Sequence, residues 1–208
     1  MNYELKNKGL TIVDIISWVA GLLVGGWLLF ALFFNIYNVP SSSMEPLLEV
    51  GDKVLVRKVR FGELVLQRND IIVFQEANQN LIKKIVGLPG DEVKYNLTHV
   101  FVNGVLVVQG AKKVQAIAHQ ELKAENDINS ELNTAEYEVI LKAKRFLLEG
   151  DRDTFQTVTL QSNEYFVLGE NFSDSTDSRF FGAIQDSDII GKALLVHKQG
   201  ANWKLLTP

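Results

Sequence analysis

The sequence predicts a mainly β protein: an N-terminal transmembrane helix followed by an antiparallel, β-barrel-like domain with a small inserted region. Three observations predict it. Residues 15–34, "IISWVAGLLVGGWLLFALFF", run for 20 positions without a charge, long enough at 1.5 Å rise per residue to cross a hydrocarbon core of about 30 Å. Beyond Pro40 the chain breaks into short runs rich in β-branched and aromatic residues, bounded by Gly, Asn and Asp. One of these, "HVFVNGVLVVQ" (99–109), places Asn103-Gly104 between two alternating apolar stretches, the strongest short-range hairpin signal.

Residues 1–38 form the N-terminal segment and anchor. A cleaved secretory signal is the alternative, because Ser41, Ser42 and Ser43 offer small residues at suitable offsets. Signal h-regions run to about 7–15 residues, shorter than this run, so the expectation is a retained anchor. Lys6 and Lys8 precede it, partly offset by Glu4 and Asp14, a mild positive-inside signal for a cytoplasmic N-terminus. Gly21, Gly25 and Gly26 have small-xxx-small spacing, which single-pass helices carry often. The β-domain takes residues 39–109 and 151–208, with strands expected at 53–59, 70–75, 81–87, 92–97, 99–109, 155–161, 164–169 and 192–199. Many short strands at tight spacing point to an antiparallel barrel-like fold. Residues 110–150 are more polar, with "QELKAENDINSELN" offering few apolar anchors, and are expected as an inserted region whose form the pattern leaves open.

Composition narrows the function. The chain has 208 residues, 47% hydrophobic and 22% charged, with a net charge of -4, enough for one or two modest domains with a real core. No basic run or basic-plus-aromatic stripe supplies an electrostatic footprint for nucleic acid. Cysteine is absent, which removes disulfides, thiolate nucleophiles and Cys-ligated zinc. His99, His119 and His197 stand far apart without metal-ligand spacing, so no metal is expected. Trp203 is either a packing residue or an interfacial one.

The stretch "VPSSSMEPLLEVGD" (39–52) puts three adjacent hydroxyls just past the apolar run. A serine is a weak nucleophile until a neighbouring base takes its proton. No histidine has a motif-like setting, but a lysine can serve if burial lowers its pKa from about 10.4 to near 7, at about 4 kcal/mol of folding free energy. "NLIKKIVGLPGD" offers Lys83 and Lys84 on an expected strand. Alternation groups Lys83 with Leu81 and Ile85, and Lys84 with Ile82 and Val86, so spacing alone does not choose between them. Lysines that blunt a sheet edge or snorkel to water give the competing structural reading.

Four blocks in order resemble the bacterial type I signal peptidases, membrane-anchored serine proteases with a Ser/Lys dyad. "VPSSSMEPLLEVGDKVLVRK" resembles the family's serine block, "RNDIIVF" its R-G-D strand, "IKKIVGLPGDEV" its lysine block and "GENFSDSTDSRFFG" its closing block. The resemblance implies Ser43, directly before Met44, as nucleophile and Lys83 as general base. It implies the Ser41 hydroxyl and the Ser43 N–H as the oxyanion hole. Ser175 then helps to orient the lysine, Asp177 and Arg179 form a structural ionic pair, Met44 supports the site, and Gly87, Pro89, Gly90 and Asp91 shape the turn behind the lysine strand. Ser42 occupies a variable position and receives no role. Departures from the family pattern stand at Glu170 (usually Asp), Asn69 (usually Gly) and Leu47 (usually Thr), and Glu170 is expected to contact Lys84. Residues 110–150 are unmatched.

The function so implied is removal of N-terminal signal peptides from exported precursors, with the catalytic domain on the outer face of the bacterial cytoplasmic membrane. The expected partners are signal-peptide-bearing precursors and the lipid bilayer, with no nucleic acid and no cofactor. Two alternatives stay open: a maturation protease of the same chemistry dedicated to one substrate, such as a pilin or conjugation protein, and a non-catalytic membrane-tethered β-domain that binds peptides.

Overall fold

The computed structural model describes residues 11–59, 65–109, 155–199 and 202–206. The expected inserted region at 110–150 lies outside these residues, as do Lys6, Lys8 and His119. Helix α1 (Ile12–Phe33) begins with a capping box: the Thr11 side chain accepts from the Asp14 N–H, and the Asp14 carboxylate accepts from the Thr11 N–H. Its 22 residues span about 33 Å at 1.5 Å each, and none is buried against the rest of the chain. It is the one helix among the described residues long and apolar enough to cross a membrane. At its far end the Lys58 ammonium donates to the Ala31 carbonyl at 2.8 Å, satisfying a carbonyl of the last turn.

The helix passes into strand β1 (Phe34–Asn38) with no residue between them. The stretch 34–38, placed with the anchor on sequence grounds, is therefore sheet, because it pairs residue for residue with β2 (Lys53–Lys58). Then come β3 (Ile71–Glu76), β4 (Gln79–Gly87), β5 (Glu92–Tyr95), β6 (His99–Val102), β7 (Val105–Gln109), β8 (Gln156–Thr159), β9 (Glu164–Leu168), a four-residue helix α2 (Ser178–Phe181), β10 (Ile184–Gln185), β11 (Ile189–His197) and β12 (Trp203–Leu205). All pairings are antiparallel. One sheet runs β1-β2-β11-β3-β4-β9-β10 with β12 added to β11, and a second runs β7-β6-β5-β8. The antiparallel β expectation holds, but the barrel-like closure does not: β1 and β10 end the larger sheet at opposite edges, and β5 to β8 form a separate sheet. The Asn103-Gly104 hairpin is present, both residues having positive φ (50° and 78°), the conformation an I′ turn requires.

Three apolar clusters hold the sheets. Val39, Met44, Leu48, Val54, Val56 and Val196 belong to one, Val86, Val93, Phe166, Leu168 and Phe172 to the second, and Ile72, Phe74, Ile85 and Val167 to the third. Strand β4 lies between β3 and β9, and Ile82, Ile85 and Val86 place its side chains in all three clusters. Lys83, between Ile82 and Ile85 in sequence, is buried with them, while Lys84 beside it is only half-buried.

Candidate active site

The segment after β1 is tied at both ends. The Val39 N–H donates to the Asp52 carbonyl at 2.8 Å, and the Gly51 N–H to the Val39 carbonyl at 2.9 Å. Between them Ser41 is extended and Ser42–Met44 form a 3-10 turn. Met44 and Leu48 are fully buried, so the apolar side chains pull the turn onto the sheet. Ser43, at the middle of the turn, is buried with them.

Strand β4 brings Lys83 to that turn. Its side chain is 3% exposed, and Nζ lies 2.6 Å from Ser43 Oγ, the ammonium donating to the hydroxyl oxygen. Burial drives the Lys83 pKa from 10.5 down to about 8; Asp177 pulls it up, Arg179 pushes it down and Asp174 pulls it up. Loss of hydration therefore outweighs two facing carboxylates. Lys84, its neighbour, emerges on the other side of the strand and pairs with Glu170 at 2.6 Å, the contact expected from the sequence. The structure thus separates the two lysines that alternation could not.

The Ser41 hydroxyl donates to Ser43 Oγ at 3.2 Å, placing two oxygens and one amine in a row. Ser175 is also buried, and its Oγ has no hydrogen-bond partner among the described residues. It packs beside Gly169, where an added Cβ would stand 2.2 Å from Ser175 Oγ and 2.5 Å from the Ser43 carbonyl oxygen. Ser175 therefore sits against the nucleophile turn without a bond to Lys83.

Asp177 and Arg179 are completely buried and paired. The guanidinium forks onto the carboxylate, Nε to Oδ1 at 2.8 Å and Nη2 to Oδ2 at 2.9 Å, while Nη1 donates to the Leu97 carbonyl at 3.0 Å. It lies 3.5 Å from the Phe172 ring centroid, a cation–π contact. Asp177 also caps α2 and accepts from the Gly169 N–H at 3.1 Å. A buried charge pair is tolerable when its remaining donors and acceptors are satisfied in this way. Behind β4, Asp91 accepts from the Leu88 N–H, Arg68 and Asn103, fixing the Gly87–Asp91 turn to the second sheet.

Sequence reasoning passed over Asn171. Its N–H donates to the Ser43 carbonyl at 3.0 Å and its side-chain amide to the Ser42 carbonyl at 3.3 Å. The only signal for it was its place in the closing block. Among the described residues no group of His, Cys, Asp and Glu could hold a metal ion. What the arrangement offers is a hydroxyl, a buried amine of depressed pKa in contact with it, and a second hydroxyl bonded to the first, the requirements of base-assisted nucleophilic attack.

The fold and this site together define a helix-anchored, antiparallel β protein carrying a serine–lysine pair. A model of the family described as signal peptidase, peptidase S26, matches residues 12–198, and the chain belongs to that family. It is 34% identical over 186 residues to signal peptidase I of Pseudomonas aeruginosa, an alignment taking in 77% of this chain and 63% of that protein. It is 27% identical over 183 residues to signal peptidase IB of Staphylococcus aureus (strain COL), covering 86% of this chain and 87% of that one. A crystal structure of a signal peptidase I from Enterococcus faecalis aligns with a TM-score of 0.36 at 24% identity, over 63% of this chain and 98% of that one. The chain spans under two thirds of the length of the Pseudomonas relatives it matches.

Proposed function

We propose that this chain is a signal peptidase I, an endopeptidase that removes N-terminal signal peptides from exported precursors by a Ser/Lys dyad. The observation that carries the reading is the 2.6 Å contact between Lys83 Nζ and Ser43 Oγ in a buried site. In the neutral form of the amine the Ser43 hydroxyl donates to Nζ. Lys83 takes that proton as Ser43 Oγ attacks the scissile carbonyl carbon, and returns it to the leaving amine as the peptide bond breaks. The acyl-enzyme is then hydrolysed by water activated by the same lysine. The Ser43 N–H and the Ser41 hydroxyl stabilise the oxyanion, Ser41 turning from Ser43 Oγ toward the carbonyl oxygen as it becomes charged.

Helix α1 is read as a single-pass anchor with the β-domain on the outer side of the cytoplasmic membrane. One sheet face supports a bilayer beside it. Ile36, Leu55, Leu195 and Leu205 occupy paired positions across β1, β2, β11 and β12, and Ile36 and Leu205 are 47% and 67% exposed. Val54, Val56 and Val196 fill the buried opposite face. Trp203, its ring tilted against His197 at 5.2 Å between centroids, lies two residues from Leu205 on the same face.

The test is cleavage of a signal-peptide-bearing precursor by the full chain in detergent, beside the Ser43→Ala and Lys83→Ala variants. Both variants are expected to lose activity by at least about 10⁴-fold. Undiminished cleavage by either one removes the dyad.

A further inference from the structure

Ser42, the middle hydroxyl of the three, has no part in the proposed chemistry, yet its side chain is engaged. Its Oγ donates to Asp174 Oδ2 at 2.5 Å. Asp174 ends a second 3-10 turn, Phe172–Asp174, whose preceding residue, Asn171, already holds the Ser42 and Ser43 carbonyls. The two turns are thus joined by one side-chain bond from the nucleophile turn and two bonds back to its main chain.

We propose that Asp174 is a positioning residue for the Ser43–Lys83 pair, acting through the Ser42 hydroxyl. The inference rests on the Ser/Lys reading above. In a 3-10 turn successive side chains point about 120° apart, so a bond that fixes the direction of Ser42 also fixes the rotation of the turn and with it the direction of Ser43 Oγ. The main-chain bonds from Asn171 set the position of the turn but leave the side-chain directions less constrained. The Met44 side chain, buried in the core, holds the turn from below.

Asp174 also faces the amine. The charged groups acting on Lys83 are Asp177, Arg179 and Asp174, the two carboxylates raising its proton affinity and the guanidinium lowering it. Lys84 and Glu170 neutralise each other on the other side of β4. Removing the Asp174 charge therefore makes Lys83 easier to deprotonate, a change that loss of the Ser42 bond alone does not produce.

The test compares Ser42→Ala, Asp174→Ala, Asp174→Asn and the Ser42→Ala/Asp174→Ala double variant of the full chain in detergent. Asp174 is exposed, so its hydrogen bond is of modest strength, and each alanine variant is expected to lose roughly threefold to tenfold in kcat with KM unchanged. The double variant is expected to be no slower than Asp174→Ala, since both changes break one bond. Asp174→Asn keeps an oxygen for Ser42 and is expected to retain most of kcat. The acid limb of the pH profile moves to lower pH in both Asp174 variants and stays in place in Ser42→Ala. Wild-type kcat in Ser42→Ala, additive losses in the double variant, or a change confined to KM overturns the proposal. An NMR titration of the Lys83 amine, read in wild type and Asp174→Asn, keeps the two readings apart. It reports the Asp174–Lys83 coupling even if no precursor is cleaved, whereas cleavage by the wild type with undiminished kcat in Ser42→Ala and Asp174→Ala overturns the role of Asp174 alone.

Discussion

An amine that titrates near 8 when folded and at 10.5 when free makes the native state the weaker proton binder. Between those two values the unfolded chain holds a proton that the folded chain has released, so stability rises as pH climbs through that window. Below pH 8 both states are protonated, and the full penalty of about 3 kcal/mol weighs on the fold. Replacing Lys83 with Met, an apolar chain of similar length, is expected to remove the penalty and raise Tm by several degrees at pH 7 while abolishing cleavage. Calorimetry in detergent, at pH 7 and again above pH 10 where the gain should vanish, checks the sign. Activity runs through the same group. Because the base must be uncharged, kcat/KM is expected to climb about tenfold per pH unit up to about 8 and then level off. An acid limb near pH 4 or 5 would instead assign the base to a carboxylate.

Among the elements, β4 explains both what the sequence revealed and what it withheld. Its lysines were visible as candidates, but each shares its face with apolar residues two positions away, so alternation is silent there. The choice of Lys83 over Lys84 came from the family likeness, and the structure supplies its physical cause: Lys83 is buried against the Ser43 turn, whereas Lys84 reaches Glu170 at a partly exposed position. The Asn103-Gly104 hairpin was legible because its turn is encoded in two adjacent residues. Strands β1, β10 and β12 were not: β1 is continuous with the apolar helix run, and the other two span 2 and 3 residues, too short for a periodic pattern. Whether a sheet closes depends on pairings far apart in sequence, which is why the barrel-like expectation gave way to two open sheets. The close approach at Gly169 was equally hidden. A methyl group there would collide with both Ser175 and the Ser43 carbonyl, so Gly169→Ala is expected to shift the nucleophile turn and lower kcat by roughly 100-fold. Its effect on Tm should be modest by comparison, and kinetics paired with thermal unfolding will separate the two.

For the whole molecule, the proposed function needs the anchor only to bring enzyme and membrane-borne substrate together. Removing residues 1–33 is therefore expected to leave cleavage of a short soluble peptide within a few fold while slowing cleavage of a precursor inserted in vesicles by at least tenfold, since the gain from co-localisation is lost. Equal losses on both substrates would mean that the helix supports the fold itself. The junction between α1 and β1 adds something a flexible tether does not. Phe33 ends the helix, Phe34 starts the strand and Lys58 clamps the last turn, leaving no slack between helix and sheet. With α1 as the proposed anchor, the altitude of the reactive serine above the bilayer becomes a fixed dimension of the molecule, and the proposed function then has a precursor read by how far its target bond stands from the end of its own apolar segment. Lengthening or shortening that segment by one helical turn should move the favoured bond out of alignment, whatever residues flank it.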